Sequence, residues 1–164
     1  MARDFYILHG WPHLISLIRS PTSPTSVRSS ALECVGNAVK NNPEFHVWID
    51  RDTLSAIAEV LVLKGEGNVK VVGKGLYGLG ACVRGNEEGR RRWFEGWGDV
   101  GLKVGEGWGH DERIMDKLLT LAGDVVREGE EMEEKEAIGG ENGWGWRAWK
   151  QQRCDVCIGE SMRG

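Results

Sequence analysis

The stretch VRSSALECVGNAVKNNP at residues 27–43 decides the fold, because the chain returns to it 44 residues later as VVGKGLYGLGACVRGNE at residues 71–87. The two copies align without a gap. Their apolar, glycine and asparagine positions coincide in pairs: Val27 with Val71, Leu32 with Leu76, Val35 with Leu79, Gly36 with Gly80, Val39 with Val83 and Asn42 with Asn86. Internal repetition at a fixed period predicts structural units that stack on one another.

A third, weaker copy begins near Asp111. Its alignment predicts that three apolar residues take the core positions of the second copy, namely Leu119 for Leu76, Ala122 for Leu79 and Val126 for Val83. A period in the low forties falls in the range of armadillo and HEAT repeats.

Each copy carries apolar residues at the spacing of one face of an α-helix. The spacing predicts a buried stripe made of Val27, Ala31, Cys34, Val35, Ala38 and Val39 in the first copy, and of Val71, Leu76, Leu79, Cys82 and Val83 in the second. Each glycine inside the second helix costs about 1 kcal/mol relative to alanine, but small residues permit close approach of a neighbouring helix.

Residues that favour helix ends punctuate the repeat. Ser26 is predicted to cap the helix of the first copy, and Asn42 to cap the next helix, with Pro43 in its first turn. Asn86 is predicted to repeat the role of Asn42, and a third long helix is predicted to open at Asp111.

Shorter helices are predicted between the long ones, over residues 11–19, 44–50, 53–63, 89–95 and about 99–104, with the glycine-rich residues 105–109 eroding the last of them. We therefore predict an all-α fold, an armadillo/HEAT-like right-handed superhelix of about three repeats with a partial first repeat. A generic helical bundle with accidental internal similarity is the alternative.

The composition changes after residue 127. An acidic run at residues 128–136 leads into a segment rich in glycine and tryptophan, so residues 1–127 are predicted to form the repeat domain and residues 128–164 a disordered tail. Cys154 and Cys157 form a C-x-x-C pair in this tail. Because no second ligand pair lies near them, a solvated pair of thiols is favoured over a metal or redox site.

Charge and hydropathy argue against several classes of function. The formal net charge of −4 provides no basic field for nucleic acid. No stretch is long and apolar enough to span a bilayer, and the apolar run at the N-terminus is too short for a secretory signal. We therefore expect a cytoplasmic protein.

The sequence carries no motif that supports catalysis, and we expect neither an enzyme nor a cofactor or metal site. The run GKGLYG at residues 73–78 spells G-x-G-x-x-G, but no strand precedes it and it lies inside a predicted helix, so dinucleotide binding is discounted. The basic run Arg90, Arg91 and Arg92 is interpreted as a helix face that is salt-bridged to nearby glutamates, rather than as a nucleic-acid patch.

The segments at residues 11–18, 27–43 and 71–84 resemble the armadillo-type nucleotide exchange factors of heat shock protein 70 chaperones. This family comprises the cytosolic Fes/HspBP class and the Sil class of the endoplasmic reticulum. The Asn-Asn-Pro match at residues 41–43 is the most specific part. The chain departs from the family pattern at Gly75, Gly78 and Gly80, where alanine or serine is usual, and it nearly lacks the family's N-terminal segment.

The resemblance implies a co-chaperone that binds the ATPase domain of a heat shock protein 70 chaperone and holds its nucleotide cleft open, so that ADP leaves. We expect a monomer that acts without nucleic acid or membrane, in the cytoplasm or, if a signal segment is missing from this chain, in the endoplasmic reticulum. The alternative is an armadillo-type protein-binding scaffold without exchange activity, such as a truncated paralogue.

In armadillo stacks the third helix of each repeat lines a concave groove, so its residues away from the apolar stripe are candidates for partner binding. By alignment these are Glu33, Asn37, Lys40, Asn41, Lys74, Tyr77, Ala81, Arg84, Thr120, Asp124 and Arg127. The mixture suits a folded protein partner, with an aromatic residue and an arginine as anchors. An importin-type or catenin-type peptide groove is disfavoured, because Glu33 and Tyr77 stand at its tryptophan positions and only Asn37 of its asparagines is present.

Overall fold

A computed structural model describes residues 2–139, and every regular element in that range is helical. The helices are α1 Ala2–Ile7, α2 Gly10–Arg19, α3 Thr25–Val39, α4 Pro43–His46, α5 Arg51–Leu61, α6 Val69–Val83, α7 Glu87–Trp97, α8 Val100–Trp108 and α9 Glu112–Gly139. A short 3-10 helix at Glu66–Asn68 precedes α6. The predicted all-α class is confirmed for these residues, and none of these helices is long and apolar enough to cross a membrane.

The chain divides into two units, Met1–Val125 and Val126–Gly164, so α9 begins in the first and continues into the second. The core and the surface described below belong to the first unit. In the second unit, the described residues 126–139 continue α9. The tail residues singled out above, Cys154, Cys157 and the tryptophans from Trp144 onward, lie outside the described residues, and the predicted domain boundary stays a prediction.

The packing of α3 against α6 is the most extensive helix contact of the first unit. Leu32, Val35 and Val39 of α3 and Val71 and Val72 of α6 are all 0% exposed. Helix α2 packs against α3, and α5 packs against both α2 and α6. Because burial of a side chain of this size contributes about 1.5–3 kcal/mol, these apolar stripes hold the long helices together.

The end of α3 and the end of α6 have the same local structure, 44 residues apart. Asn41 has a φ of 58° and its counterpart Gly85 a φ of 62°, which is the left-handed conformation that ends many helices. The following residues, Asn42 and Asn86, both have a φ of −128°. Both bounds of α6 also lie 44 residues after the bounds of α3, so the sequence repeat and the local structure repeat together.

The predicted cap at Ser26 is wrong, and Asn42 stands at the N-cap position of α4 before Pro43 as predicted but without a capping side-chain hydrogen bond. Helix α3 begins at Thr25 rather than after Ser26, because the carbonyl of Pro24 accepts the first helical hydrogen bonds and its fixed φ of −53° sets the entry of the chain. Asn42 does not cap α4 with its side chain; its amide donates instead to the carbonyl of Ala38, at 3.3 Å.

The predicted cap at Asn86 is present. Its side-chain oxygen accepts a hydrogen bond from the amide of Gly89 at 3.0 Å, and its side-chain nitrogen donates to the carbonyl of Cys82 at 2.9 Å. The side chain of Asn86 therefore joins the last turn of α6 to the first turn of α7. With 5% of its surface exposed, it is a buried polar group with both ends satisfied.

The predicted apolar stripe of α3 is wrong at its edges. Val27 is 38% exposed and Cys34 is also exposed, whereas Ser29 is buried and donates its hydroxyl hydrogen to the carbonyl of Thr25. Helical spacing gives the direction of a stripe but not its width, which depends on how neighbouring helices cover its sides.

The predicted core positions of the third copy are wrong at Leu119. This residue is 63% exposed, while Ile114, Leu121 and Val125 are buried. Closely spaced apolar residues in this helix are compatible with more than one stripe, and the stripe that is buried within the first unit includes Leu121.

The prediction that the glycine-rich residues 105–109 disrupt this helix is wrong, because α8 continues to Trp108. Trp108 is 2% exposed, and its indole nitrogen donates to the carbonyl of Leu63 at 2.9 Å. This buried anchor holds the end of α8 in place despite the low helix propensity of its glycines.

Replacement of Asn86 by alanine is predicted to lower the free energy of unfolding by about 1–3 kcal/mol, because a helix cap is lost and a buried carbonyl loses its donor. The matched control is Asn42→Ala, 44 residues earlier, where the single side-chain bond is long and the loss is expected to stay below about 1 kcal/mol. Urea denaturation followed by circular dichroism measures both. Equal losses in the two variants would contradict the assigned cap.

Candidate protein-binding surface

Most of the predicted partner-binding residues lie side by side on one surface of the first unit. Residues three, four or seven positions apart share one face of a helix, and these residues have that spacing within α3 and within α6. We call the group the polar strip: Glu33 and Asn37 on α3 with Lys40 directly after it, Lys74 and Tyr77 on α6 with Arg84 directly after it, and Asp124 on α9.

Two polar contacts join α3 to α6. The Nζ atom of Lys74 lies 2.6 Å from Oε1 of Glu33, and the Tyr77 hydroxyl donates to Oδ1 of Asn37 at 2.7 Å. Because the side chains of Lys74 and Glu33 are 30% and 47% exposed, their ion pair contributes only about 0–1 kcal/mol to stability. The main effect of the two contacts is to fix the direction of the side chains.

The ring of Tyr77 is close to two ammonium groups. The Nζ atoms of Lys40 and Lys74 are 5.9 Å and 5.8 Å from the ring centroid, within the range of a cation–π interaction. Each such contact contributes about 0.5–1 kcal/mol at an exposed site. Tyr77 therefore organises the cations at the centre of the strip.

Gly36 provides the space in which Tyr77 lies. A Cβ atom added at Gly36 would overlap the Tyr77 ring, so the ring rests on the bare backbone of α3. The repeat equivalent, Gly80, lies beside the guanidinium of Arg84 in the same way, although that flexible group can move aside. The sequence showed the coincidence of the two glycines in the alignment, but their role in seating side chains of the strip was missed.

The strip continues from α6 to the first part of α9. The Nε atom of Arg84 donates to Oδ2 of Asp124 at 2.8 Å, and the two side chains are 40% and 23% exposed. This contact joins residues 40 apart in sequence, as does the contact between Tyr77 and Asn37. The third contact, between Lys74 and Glu33, joins residues 41 apart, so the strip is held by contacts between neighbouring long helices at nearly equal separations in sequence.

Four predicted partner-binding residues lie outside the strip. Asn41 is exposed in the turn after α3, and Thr120 is exposed on α9. Ala81 is only 9% exposed, because its methyl group faces the core side of α6, and it is unsuited to contact a partner. Arg127 is exposed and belongs to the second unit.

The arginines of α7 are engaged in contacts within the protein. Arg91 forms ion pairs with Glu88 at 2.7 Å and with Glu95 at 2.6 Å, while Arg92 pairs with Glu88 and Arg90 donates to a main-chain carbonyl. Hydrogen bonds from Arg91 and Arg92 lower the pKa of the Glu88 carboxyl to about 2. The run is therefore a salt-bridged helix face, as interpreted from the sequence.

The G-x-G-x-x-G spelling lies in the interior of α6, not in a loop. A Cβ at Gly75 would come within 3.0 Å of Cδ2 of Leu61, and one at Gly78 within 3.5 Å of the carbonyl oxygen of Leu32. A Cβ at Gly75 would therefore press on Leu61, whereas one at Gly78 would be in ordinary van der Waals contact, and both glycines lie where helices pack rather than in a phosphate-binding loop.

Two reactive side chains of the first unit, Cys82 and His46, are partly or wholly shielded from solvent. Burial raises the pKa of the Cys82 thiol to about 12 and lowers the pKa of His46. Among the side chains that the structure describes, no group of three or more histidines, cysteines, aspartates or glutamates is placed to hold a metal ion.

A shallow cleft of about 540 Å³ is lined by Arg19, Arg51, Asp52, Ser55, Gly96 and Trp97. One wall is fixed by Arg19, whose guanidinium pairs with Asp52 at 2.5 Å and with Glu59 at 3.2 Å. Its lining residues include neither a histidine nor a thiol, so the cleft provides no acid–base or nucleophilic group beyond carboxylate and hydroxyl.

No protein-family model, no curated protein and no solved structure matches this chain.

Replacement of Gly36 by alanine is predicted to displace Tyr77 and to lower the free energy of unfolding by about 1 kcal/mol, because overpacking outweighs the gain in helix propensity. The matched control is Gly105→Ala in α8, where an added Cβ meets nothing within 4 Å and a gain of about 0.5–1 kcal/mol is expected. Denaturant titrations measure both changes, and aromatic NMR spectra report the Tyr77 ring. Stabilisation by both alanines would refute the seating role of Gly36.

The Glu88 carboxyl is predicted to make stability depend on pH in acid. Since its pKa is lowered from 4.5 to about 2 in the folded protein, its contribution is complete above about pH 4.5 and is lost as the pH falls toward about 2. The expected NMR titration midpoint of its side-chain carboxyl carbon is therefore near 2. Glu88→Gln should flatten the decline of melting temperature in this range. A titration midpoint near the ordinary value would contradict the ion pairs with Arg91 and Arg92.

Proposed function

We propose that this chain is an armadillo-type repeat protein that binds the ATPase domain of a heat shock protein 70 chaperone through the polar strip and promotes release of ADP. The observation that carries the proposal is the pair of side-chain contacts that join successive long helices, Tyr77 with Asn37 and Arg84 with Asp124, each across 40 residues. The sequence resemblance of residues 11–18, 27–43 and 71–84 supplies the partner.

The proposed arrangement is a right-handed superhelix in which α3, α6 and α9 are the third helices of successive repeats. This assignment is supported by the equal lengths of α3 and α6, whose bounds lie 44 residues apart, and by the matching turns that follow them. In such a stack the third helices line one continuous surface, which is where the polar strip runs.

A folded protein partner suits the chemistry of the strip. Arginine and tyrosine are enriched among the residues that carry most of the binding energy at protein interfaces, and Arg84 and Tyr77 are held in fixed positions by their neighbours. A peptide held along an asparagine ladder fits less well, because Oδ1 of Asn37 already accepts the hydroxyl of Tyr77.

The proposed exchange mechanism is a shift between two states of the chaperone. A factor that binds the open ATPase domain more tightly than the closed one displaces the equilibrium by that difference in affinity, and ADP leaves from the open cleft. This role requires no bond chemistry, no cofactor and no second copy of the chain. It places the protein in the cytoplasm with the chaperone.

Stopped-flow release of fluorescent ADP from a cytosolic heat shock protein 70 tests the proposal directly. The full chain at micromolar concentration is expected to accelerate release, and calorimetry with the isolated ATPase domain measures binding. Binding without acceleration would indicate a scaffold that lacks exchange activity. If neither occurs, the chaperone is not the partner.

The double variant Tyr77→Ala with Arg84→Ala is predicted to weaken binding of the ATPase domain by about 10-fold to 100-fold, as expected when two interface anchors are lost. Its helicity by circular dichroism should remain that of the original chain, because both side chains are partly exposed. The control is Arg51→Ala, an exposed arginine outside the strip, which should bind normally. Unchanged affinity in the double variant would place the interface elsewhere.

A further inference from the structure

The polar strip has one cation more than it has acids. Glu33 neutralises Lys74, and Asp124 neutralises Arg84. Lys40 is exposed at the end of α3, and its ammonium group meets the ring of Tyr77 without an acidic partner among the residues described. The strip therefore carries its uncompensated positive charge at Lys40.

The surroundings of that charge are fixed by three contacts of Tyr77. The hydroxyl is held by Asn37, the face of the ring meets both lysines, and the bare backbone of Gly36 leaves room for the ring. An aromatic ring in this position keeps the Lys40 ammonium close to the strip, because the cation–π attraction opposes its full extension into solvent.

We propose that the corner formed by Lys40 and Tyr77 receives an aspartate or glutamate side chain from a protein partner. The inference rests on the proposed use of the strip as a binding surface, and it specifies the chemistry that the partner presents there. A carboxylate placed at this corner accepts a charge-assisted hydrogen bond from Nζ of Lys40, while the methylene groups of the partner's side chain lie against the aromatic ring.

A carboxylate fits this corner better than a phosphate group. The corner offers a single uncompensated ammonium, and it lacks the forked donors of an arginine that suit a doubly charged oxyanion. The carboxylate of Glu33 remains beside Lys74, and it would repel a doubly charged phosphate group more strongly than a singly charged carboxylate at the same distance. One carboxylate balances the strip, since it matches the single excess cation.

The first experiment uses hexaglutamate as the probe and does not involve a chaperone. Addition of the peptide to the isotope-labelled full chain in low salt should shift the NMR signals of Lys40 and Tyr77 most. Lys40→Gln should weaken this binding about 5-fold, whereas Lys40→Arg, which keeps the cation, should retain it. Raising the salt from about 20 mM to about 200 mM should weaken peptide binding by the original chain, and it should weaken binding by Lys40→Gln less.

The matched control is Lys70→Gln, which removes an exposed lysine of α6 outside the strip. It changes the net charge by the same amount, so a general charge effect would lower affinity equally in both variants. Equal effects of Lys40→Gln and Lys70→Gln, or peptide-induced shifts centred away from Lys40 and Tyr77, would overturn the inference.

The same variants titrated against the ATPase domain separate this inference from the proposed function. Hexaglutamate binding at Lys40 without binding of the ATPase domain would exclude the chaperone as the partner, but it would still support a carboxylate site at the corner formed by Lys40 and Tyr77. If the ATPase domain binds the original chain and Lys40→Gln equally well, the partner does not place a carboxylate at Lys40. The inference then fails while the proposed function stands.

Discussion

The close approach of α6 to α3 is the constraint on which the rest of the first unit depends. Leu32 and Val35 are completely buried in this contact, and a Cβ atom at Gly78 would meet the carbonyl oxygen of Leu32 at 3.5 Å. At a larger separation, Lys74 and Tyr77 would no longer reach their partners on α3. The polar strip is thus a consequence of core packing, because the buried apolar contact between α3 and α6 brings the long side chains outside into contact.

The glycines of α6 show how packing outweighs helix propensity. Each glycine in a helix interior costs about 1 kcal/mol relative to alanine, so α6 has little tendency to form alone. It forms because Val71, Leu76 and Leu79 are buried against neighbouring helices. Helix α5 approaches so closely that a Cβ added at Gly75 would lie 3.0 Å from Cδ2 of Leu61. The stiffness of the binding surface is therefore a property of the packed unit and not of the isolated helix.

The repeat made α3 and α6 predictable, because apolar residues recur at the same positions in both copies, whereas the caps differ: the side chain of Asn86 caps α7 and that of Asn42 does not cap α4. Three features were not predictable in this way. The register of α9 was ambiguous, since Leu119 and Leu121 both fit an apolar stripe and only packing selects one of them. The exposure of Cys34, at the edge of the apolar stripe, depends on how a neighbouring helix covers it. The pairing of Lys74 with Glu33 depends on the relative position of two helices, which the spacing of residues within one helix does not reveal.

Internal pairing determines what the strip contributes to binding. Side chains that are already held by neighbours lose less conformational freedom when a partner arrives, so the contacts of Tyr77 and Arg84 reduce the entropy cost of association. The same pairing removes most of the net charge, which weakens long-range attraction and leaves recognition to shape and to the position of individual groups. If the strip binds as proposed, it selects a partner whose groups match it closely. Lys40, the one cation of the strip that has no acidic neighbour among the described residues, then carries more of the selectivity than its small share of the surface suggests.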